Sequence, residues 1–294
     1  MLKRTSQLRS APLMRKRYRI IRQCGSGGSG VIYQAKDTLL DLPVAIKSFT
    51  GEAHTTQQAR HEARLLAQLK QHRIPSFIDY FEVNCRWYLV MQWVEGTSLK
   101  SNRPNSIQWV VRIGQQLCDI LSYLHHCRPP IIHRDIKPSN LLLTAQRRLY
   151  LIDFGVSCAP GFPEYIAGSQ GYAAPEQWDS EQPLTPSADI YACGMVLRQV
   201  WTGLDPSQAV SVSGWVNTVP RNIPREQPGF QALADLLKRM VSPDINERPD
   251  IERVWQELAW IDETLHNTGA DDRHTSEFPL FPVRPAHTTQ LYGC

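Results

Sequence analysis

The stretch His133-Arg134-Asp135-Ile136-Lys137-Pro138-Ser139-Asn140 decides how the chain is read. Three charged groups, a proline and an asparagine stand between the apolar runs IIH (131–133) and NLLL (140–143). No core-forming pattern puts them there; an ordinary polar loop is the plain alternative. The Asp135 carboxylate can orient an attacking hydroxyl and accept its proton. Lys137 can neutralise a transferring anionic group, and Asn140 offers an amide oxygen to a hard cation.

Immediately downstream, LYLI (149–152) leads into Asp153-Phe154-Gly155. An aspartate closing a buried strand is costly without a compensating cation. A Mg²⁺ ion bridging phosphates is the natural partner, and Gly155 lets the chain leave in an unusual direction. Upstream, Val44-Ala45-Ile46-Lys47 reads as a strand ending in a lysine. A lone lysine there is ordinarily a surface residue. Its alternative meaning depends on a counter-charge, which Glu62 supplies from the helix expected over 56–71.

Further upstream, Gly25-Ser26-Gly27-Gly28-Ser29-Gly30 fits G-x-G-x-x-G. Glycines let backbone amides approach phosphate oxygens closely. A flexible hairpin turn uses the same letters. A dinucleotide fingerprint would require a helix next, but the β-type run VIYQA follows. A glycine-rich flap over a nucleotide fits better.

The order of elements agrees. From Tyr18 the chain reads as a hairpin, a third strand (PVAIKSF), one helix and two strands (FIDYFE, RWYLVMQWV). After Gly96 it turns helical, with a stripe of Ile107, Val110, Val111, Ile113, Gly114, Leu117, Leu121 and Leu124, then helices at 187–201, 230–241 and 251–265. Strands first and helices later predict a small sheet lobe followed by a helical lobe.

Taken in order, G-x-G-x-x-G, VAIK, the helix glutamate, HRDIKPSN, DFG and Ala174-Pro175-Glu176 resemble the eukaryotic-type (Hanks-type) protein kinase family over roughly Tyr18 to Leu265. Lys137 within HRDIKPSN resembles the serine/threonine branch, and GSGGSGVIYQAKD and GYAAPEQW are similar to bacterial members. The resemblance implies an α+β, two-lobed protein kinase fold: a small antiparallel-sheet N-lobe with one main helix (18–95) and a larger, mainly helical C-lobe (96–266). A basic extension (1–17) precedes it and a disordered, Pro-containing tail (267–294) follows. That tail holds a Phe278-x-x-Phe281 pattern, which some kinases dock on their own small lobe.

Residue roles follow from the same resemblance. Asp135 and Lys137 are the catalytic pair, and Asn140 and Asp153 hold Mg²⁺, with Mn²⁺ as an alternative. ATP is bound by Cys24, Gly25, Ser26, Gly27, Gly28, Ser29, Gly30, Val31, Ile32, Ala45, Lys47, Glu62, Met91 (the gatekeeper), Gln92, Val94 and Leu142. Leu66, Phe77, His133 and Phe154 match a stacked apolar column, Asp189 a support of the catalytic loop, and Arg248 the partner of Glu176. The reaction implied is transfer of the ATP γ-phosphoryl to Ser/Thr hydroxyls of proteins, including autophosphorylation, in signalling. A scaffold that has lost its chemistry would lack Lys47, Asp135 or Asp153; all three are present. A small-molecule phosphotransferase would lack the Ala-Pro-Glu segment and Arg248.

The segment between Asp153 and Glu176 departs from the pattern. Ser169 stands where a threonine is usual, and Tyr165, preceded by Glu164, stands where many relatives place a phosphorylated threonine. Arg134, the usual receiver of that phosphate, is present. Activation without loop threonine phosphorylation is therefore expected, with Glu164 as a permanent carboxylate or with packing of Phe162, Tyr165 and Ile166.

Charge and cysteine usage complete the reading. Residues 1–22 carry eight Lys and Arg and no acid; the remainder carries 24 against 28 Asp and Glu, net −4. A basic arm of this kind suits an acidic partner, an anionic membrane surface, nucleic acid or a transit peptide, or is simply solvated. Eight charges alone do not make a nucleic-acid reader, and none is expected. Seven scattered cysteines without a C-x-x-C pair suit a reducing cytoplasm. No apolar run reaches the roughly 18–20 residues of a membrane span.

Overall fold

A computed structural model describes residues 13–27, 30–49, 53–101, 106–161, 163, 165–208, 218–220 and 223–268. The chain divides into two compact units, residues 1–102 with 133–158, and 103–132 with 159–294. Gly28, Ser29, Phe162, Glu164 and the Phe278-x-x-Phe281 pattern lie outside the described residues.

In the first unit, β1 (Tyr18–Gly27), β2 (Gly30–Asp37), β3 (Leu42–Ser48), β4 (Phe77–Val83) and β5 (Arg86–Gln92) form a five-stranded sheet in the order β1-β2-β3-β5-β4. Every pairing is antiparallel. Alternation puts Tyr18, Ala35, Val44, Ile46, Phe81 and Val90 into one apolar cluster. Tyr18 stacks on Phe81 with ring centroids 5.8 Å apart. Its hydroxyl donates to Asp79 at 3.0 Å, and burial, then that bond, push its pKa up to about 12.

Met14 to Arg17, expected in the basic extension, join this sheet lobe. Met14 and Tyr18 exchange backbone hydrogen bonds at 2.9 Å. Arg17 donates to Asp37 from Nε (3.0 Å) and Nη2 (2.6 Å), holding that carboxyl below its ordinary value.

Helix α1 (Ala53–Gln68) stands between β3 and β4. It begins and ends three residues earlier than periodicity predicts. Beyond its end, Ile74, which precedes Pro75, closes a turn back to the Gln71 carbonyl at 3.0 Å. A second sheet joins β6 (Gly96–Ser98), β7 (Leu141–Thr144) and β8 (Leu149–Leu151). Three-residue β6 shows no alternation of its own and exists because β7, more than forty residues away in sequence, pairs with it. The run IIH forms no strand.

The second unit holds α2 (Ile107–His125), α3 (Ser187–Thr202), α4 (Phe230–Met240) and α5 (Ile251–Thr268). Ser106 caps α2 by accepting the Trp109 amide at 3.3 Å. The whole predicted stripe of α2, from Ile107 to Leu124, is buried. Each large aliphatic member contributes about 1.5–3 kcal/mol. Helix α5 continues through Thr268, past the predicted domain end at His266. None of the described helices is long and apolar enough to cross a membrane.

Candidate active site

All described candidate catalytic and nucleotide-binding residues fall in the first unit. Strand β3 delivers Lys47 and helix α1 delivers Glu62. The Lys47 ammonium lies 2.6 Å from Glu62 Oε2 and 2.6 Å from Asp153 Oδ1. Burial works against the Lys47 charge, but the two carboxylates outweigh it and hold its pKa above the ordinary lysine value. Burial pushes the Glu62 carboxyl up even so. At Asp153 burial is overcome by Lys47, and the carboxyl stays below its usual range. Glu62 is therefore the first of the two to protonate on acidification, and Asp153 the firmer anion.

Asp153 holds φ at 67° and Arg134 at 69°, the left-handed region that non-glycine residues avoid. The surroundings hold both. Arg134 Nη1 donates to the Val156 carbonyl at 3.3 Å, and the buried Phe154 ring meets His133 edge-on at 4.8 Å. Gly155 sits where a Cβ would come within 3.0 Å of Glu62 Oε2 and 3.4 Å of Lys47 Nζ, so a side chain there would press on the ion pair.

The candidate catalytic stretch folds around its own backbone. Asn140 Nδ2 donates to the Asp135 carbonyl at 2.9 Å and to Asp135 Oδ2 at 3.0 Å. Lys137 Nζ is 2.8 Å from the same Oδ2. Asp135 N–H donates to His133 Nδ1 at 3.3 Å, which requires an unprotonated Nδ1. Ile152 N–H donates to the Asn140 carbonyl at 2.9 Å, tying this cluster to Asp153. Because Asn140 spends its amide N–H groups on Asp135, its amide oxygen remains to act as a ligand. With the partly exposed Asp153 carboxylate it gives oxygen donors suited to a hard divalent cation.

The sheet register sets Ala45 opposite Met91. Ala45, Met91 and Val94 are buried, while Ile32 and Leu142 are half-buried. Gln92 N–H is taken by the Ser76 carbonyl at 2.9 Å. In the glycine hairpin Gly27 pairs with Gly30. Cys24, Gly25, Ser26 and Gly27 are exposed, and Val31 is half-buried. Gly30, at φ 129°, would place a Cβ 2.2 Å from the Ser48 carbonyl, so only glycine fits.

The second unit holds Tyr165 and Ser169, with the Tyr165 side chain exposed. It also holds the buried Glu176–Arg248 pair, at 2.6 and 2.9 Å, and the buried Asp189, 3.1 Å from His125 Nε2.

Sequence reasoning missed His61. Its Nε2 lies 2.8 Å from the Ser157 carbonyl, and Ser157 Oγ donates to the His133 carbonyl at 3.4 Å. Adjacent residues of α1 thus hold this part of the chain at two points, Glu62 through Lys47 at Asp153 and His61 directly at Ser157. Neighbouring helix positions point in different directions, so no periodicity marks His61. His61→Ala should lower kcat/KM about fivefold, one hydrogen bond's worth. His61→Gln, which keeps an N–H donor, should restore it. Equal losses for both variants in steady-state assays, or no loss in either, would refute the role.

The protein kinase domain model matches residues 18–260. The chain belongs to the protein kinase domain family. This kinase domain is 34% identical over 208 residues to the serine/threonine-protein kinase PknD of Mycobacterium tuberculosis, covering 66% of this chain and 31% of that protein. It is 33% identical over 213 residues to the serine/threonine-protein kinase PrkC of Bacillus subtilis, covering 67% and 32%. With the probable serine/threonine-protein kinase PknB of Lactococcus lactis it shares 30% over 263 residues, covering 83% and 42%. The kinase domain is thus of the Hanks type and similar to bacterial serine/threonine kinases. It spans about a third of the length of PknD and PrkC. Family membership implies the use of ATP with a divalent cation.

Proposed function

We propose that this chain is an active protein kinase that moves the γ-phosphoryl of ATP to serine and threonine hydroxyls of other proteins. The observation that carries the reading is the joint placement of Lys47, Glu62 and Asp153 beside the Asp135–Lys137–Asn140 cluster. Ile32, Ala45, Met91 and Leu142 receive the adenine, with the Gln92 carbonyl and the Val94 backbone at its edge. The glycine hairpin covers the phosphates, and Lys47 holds the α- and β-phosphates in position.

Asp153 and Asn140 would hold Mg²⁺, or Mn²⁺ in its place, whose charge offsets that of the phosphates. Asp135 orients the acceptor hydroxyl. The new bond joins that oxygen to the γ-phosphorus, the bond from γ-phosphorus to the bridging oxygen breaks, ADP leaves, and the hydroxyl proton passes to Asp135. Lys137 neutralises the phosphoryl in flight. Positioning and charge supply most of the acceleration, because the transition state is loose.

Arg134 is buried and bonded to the Val156 carbonyl. This supports an active state that needs no loop phosphate. None of the six described cysteines forms a disulfide, in keeping with a cytoplasmic location. The test is an assay with labelled ATP, a casein-like protein and small alcohols, followed by phosphoamino-acid analysis and mass spectrometry. Phosphoserine or phosphothreonine on the protein, from enzyme without a loop phosphate, is expected. Label only on alcohols or only on tyrosine would sink the assignment, and a loop phosphate required for activity would sink the activation claim.

A further inference from the structure

The turn joining β2 to β3 reads Thr38-Leu39-Leu40-Asp41-Leu42 and displays its leucines to solvent. Leu39 is 73% exposed, Leu40 60% and Leu42 55%, and nearby in the chain Leu13 is 40% exposed. A single exposed leucine is ordinary; three within four residues on one turn call for a partner. The turn is fastened beside the basic segment. Thr38 N–H and Oγ1 both donate to the Arg17 carbonyl, at 2.9 and 2.7 Å. Leu39 shares an open cleft of about 460 Å³ with Arg15, Lys16, Arg17, Ile78 and Asp79.

The acids here are engaged by bases: Asp79 by Arg15, Asp37 by Arg17 and Asp41 by Lys36. Lys16 is exposed beyond these pairs. Charge along the chain is polarised in the same place. Residues 1–42 carry nine Lys and Arg against two Asp, net +7, whereas residues 43–294 carry 23 against 26 Asp and Glu, net −3. The apolar turn therefore belongs to the part of the chain that holds all of the excess positive charge.

We infer that this face docks on an anionic lipid bilayer, with Leu39 and Leu40 entering the headgroup region while the exposed Arg15 and Lys16 meet lipid phosphates and carboxylates. Two features select this occupant. The leucines protrude from a turn instead of lining a groove, so they need a yielding apolar phase and not a shaped partner. A second copy of the chain would set one strongly positive segment against another, which charge repulsion disfavours. Lysine and arginine near an anionic surface each add attraction that salt screens. Docking is independent of phosphoryl transfer, because none of these residues belongs to the site around Lys47 and Asp135.

The test is sedimentation of the full chain with phosphatidylserine-rich vesicles and with pure phosphatidylcholine vesicles. Binding to the first and not the second is expected, weakening as salt rises. The double variant Leu39→Ser/Leu40→Ser should bind at least about tenfold more weakly, and Lys16→Glu about fivefold or more. Both should phosphorylate a soluble peptide at the wild-type rate, which shows that they fold. Absence of binding to phosphatidylserine-rich vesicles would overturn the inference. So would binding unchanged in the leucine variant, competition by inorganic phosphate alone, or a solution dimer that the leucine substitutions disperse.

Discussion

Asp135→Ala is expected to lower kcat for phosphoryl transfer by about 10²–10⁴ while leaving the Kd for ATP within a few-fold of wild type. In the proposed mechanism this carboxylate orients the acceptor hydroxyl and receives its proton, and neither Lys137 nor Asn140 can take over. Lys137, 2.8 Å away, carries the wrong charge for a proton acceptor. Asn140 donates to Asp135 and offers no basic site.

ATP binding should survive because Lys47, Glu62 and Asp153 form a separate ion cluster. Asn140 also keeps its bond to the residue-135 carbonyl after the change. Steady-state kinetics with calorimetric ATP titration checks both halves. A variant that transfers phosphate at the wild-type rate would remove Asp135 from the mechanism. Lost ATP binding would instead show that the loop had collapsed. Adding Lys137→Ala should lower activity by far less than the product of the single losses, since the two side chains act as a unit.

Arg248→Ala is expected to destabilise the second unit by about 3–5 kcal/mol. Arg248 is fully buried, with Nη1 and Nη2 on the two Glu176 oxygens, Nε on the Ser242 carbonyl at 2.8 Å and Nη1 also on the Ser187 carbonyl at 3.1 Å. Its guanidinium also lies 5.0 Å from the Tyr191 ring centroid. Truncation leaves a buried carboxylate and two backbone carbonyls without this donor. Lysine is no substitute, because a point charge cannot reproduce the planar fork.

The informative comparison is Arg248→Met with Glu176→Leu. Replacing both charges removes the stranded ion and should recover part of the loss. Denaturant unfolding of the three proteins checks this. Equal stability of wild type and Arg248→Ala would mean that the pair contributes nothing.

Much of this could be read without coordinates because the chemistry of the site demands rare residues in a fixed order. Asp135, Lys137 and Asn140 stand in an eight-residue stretch, and a loop that short must bring them together whatever surrounds it. Lys47 with Glu62 was legible more weakly, since fifteen residues and a helix start separate them. The α2 stripe was plain from periodicity, because its apolar positions are all buried, and the five strands were legible as short apolar runs bounded by turn residues.

Other features had no local signal. Strand β6 depends on its partner β7. The early end of α1 had no marker in its periodicity, and the placement of Met14 to Arg17 depends on Asp37 and Asp79. His61 is the sharpest case, a histidine on an exposed helix position whose partner is a backbone carbonyl 96 residues away.

The amino-acid order by itself determined the family and the succession of the main strands and helices, and it singled out the charged residues proposed for the chemistry. Those properties reside in short-range patterns and in residue types that nothing but the reaction requires. The tertiary structure alone decided that Lys47 also reaches Asp153, that Arg134 is buried against Val156, and that His61 grips Ser157. It also showed the leucines of the β2–β3 turn standing open beside Arg15 to Arg17. Each of these is a distance between remote residues, and such distances follow from packing the whole unit and not from any one segment.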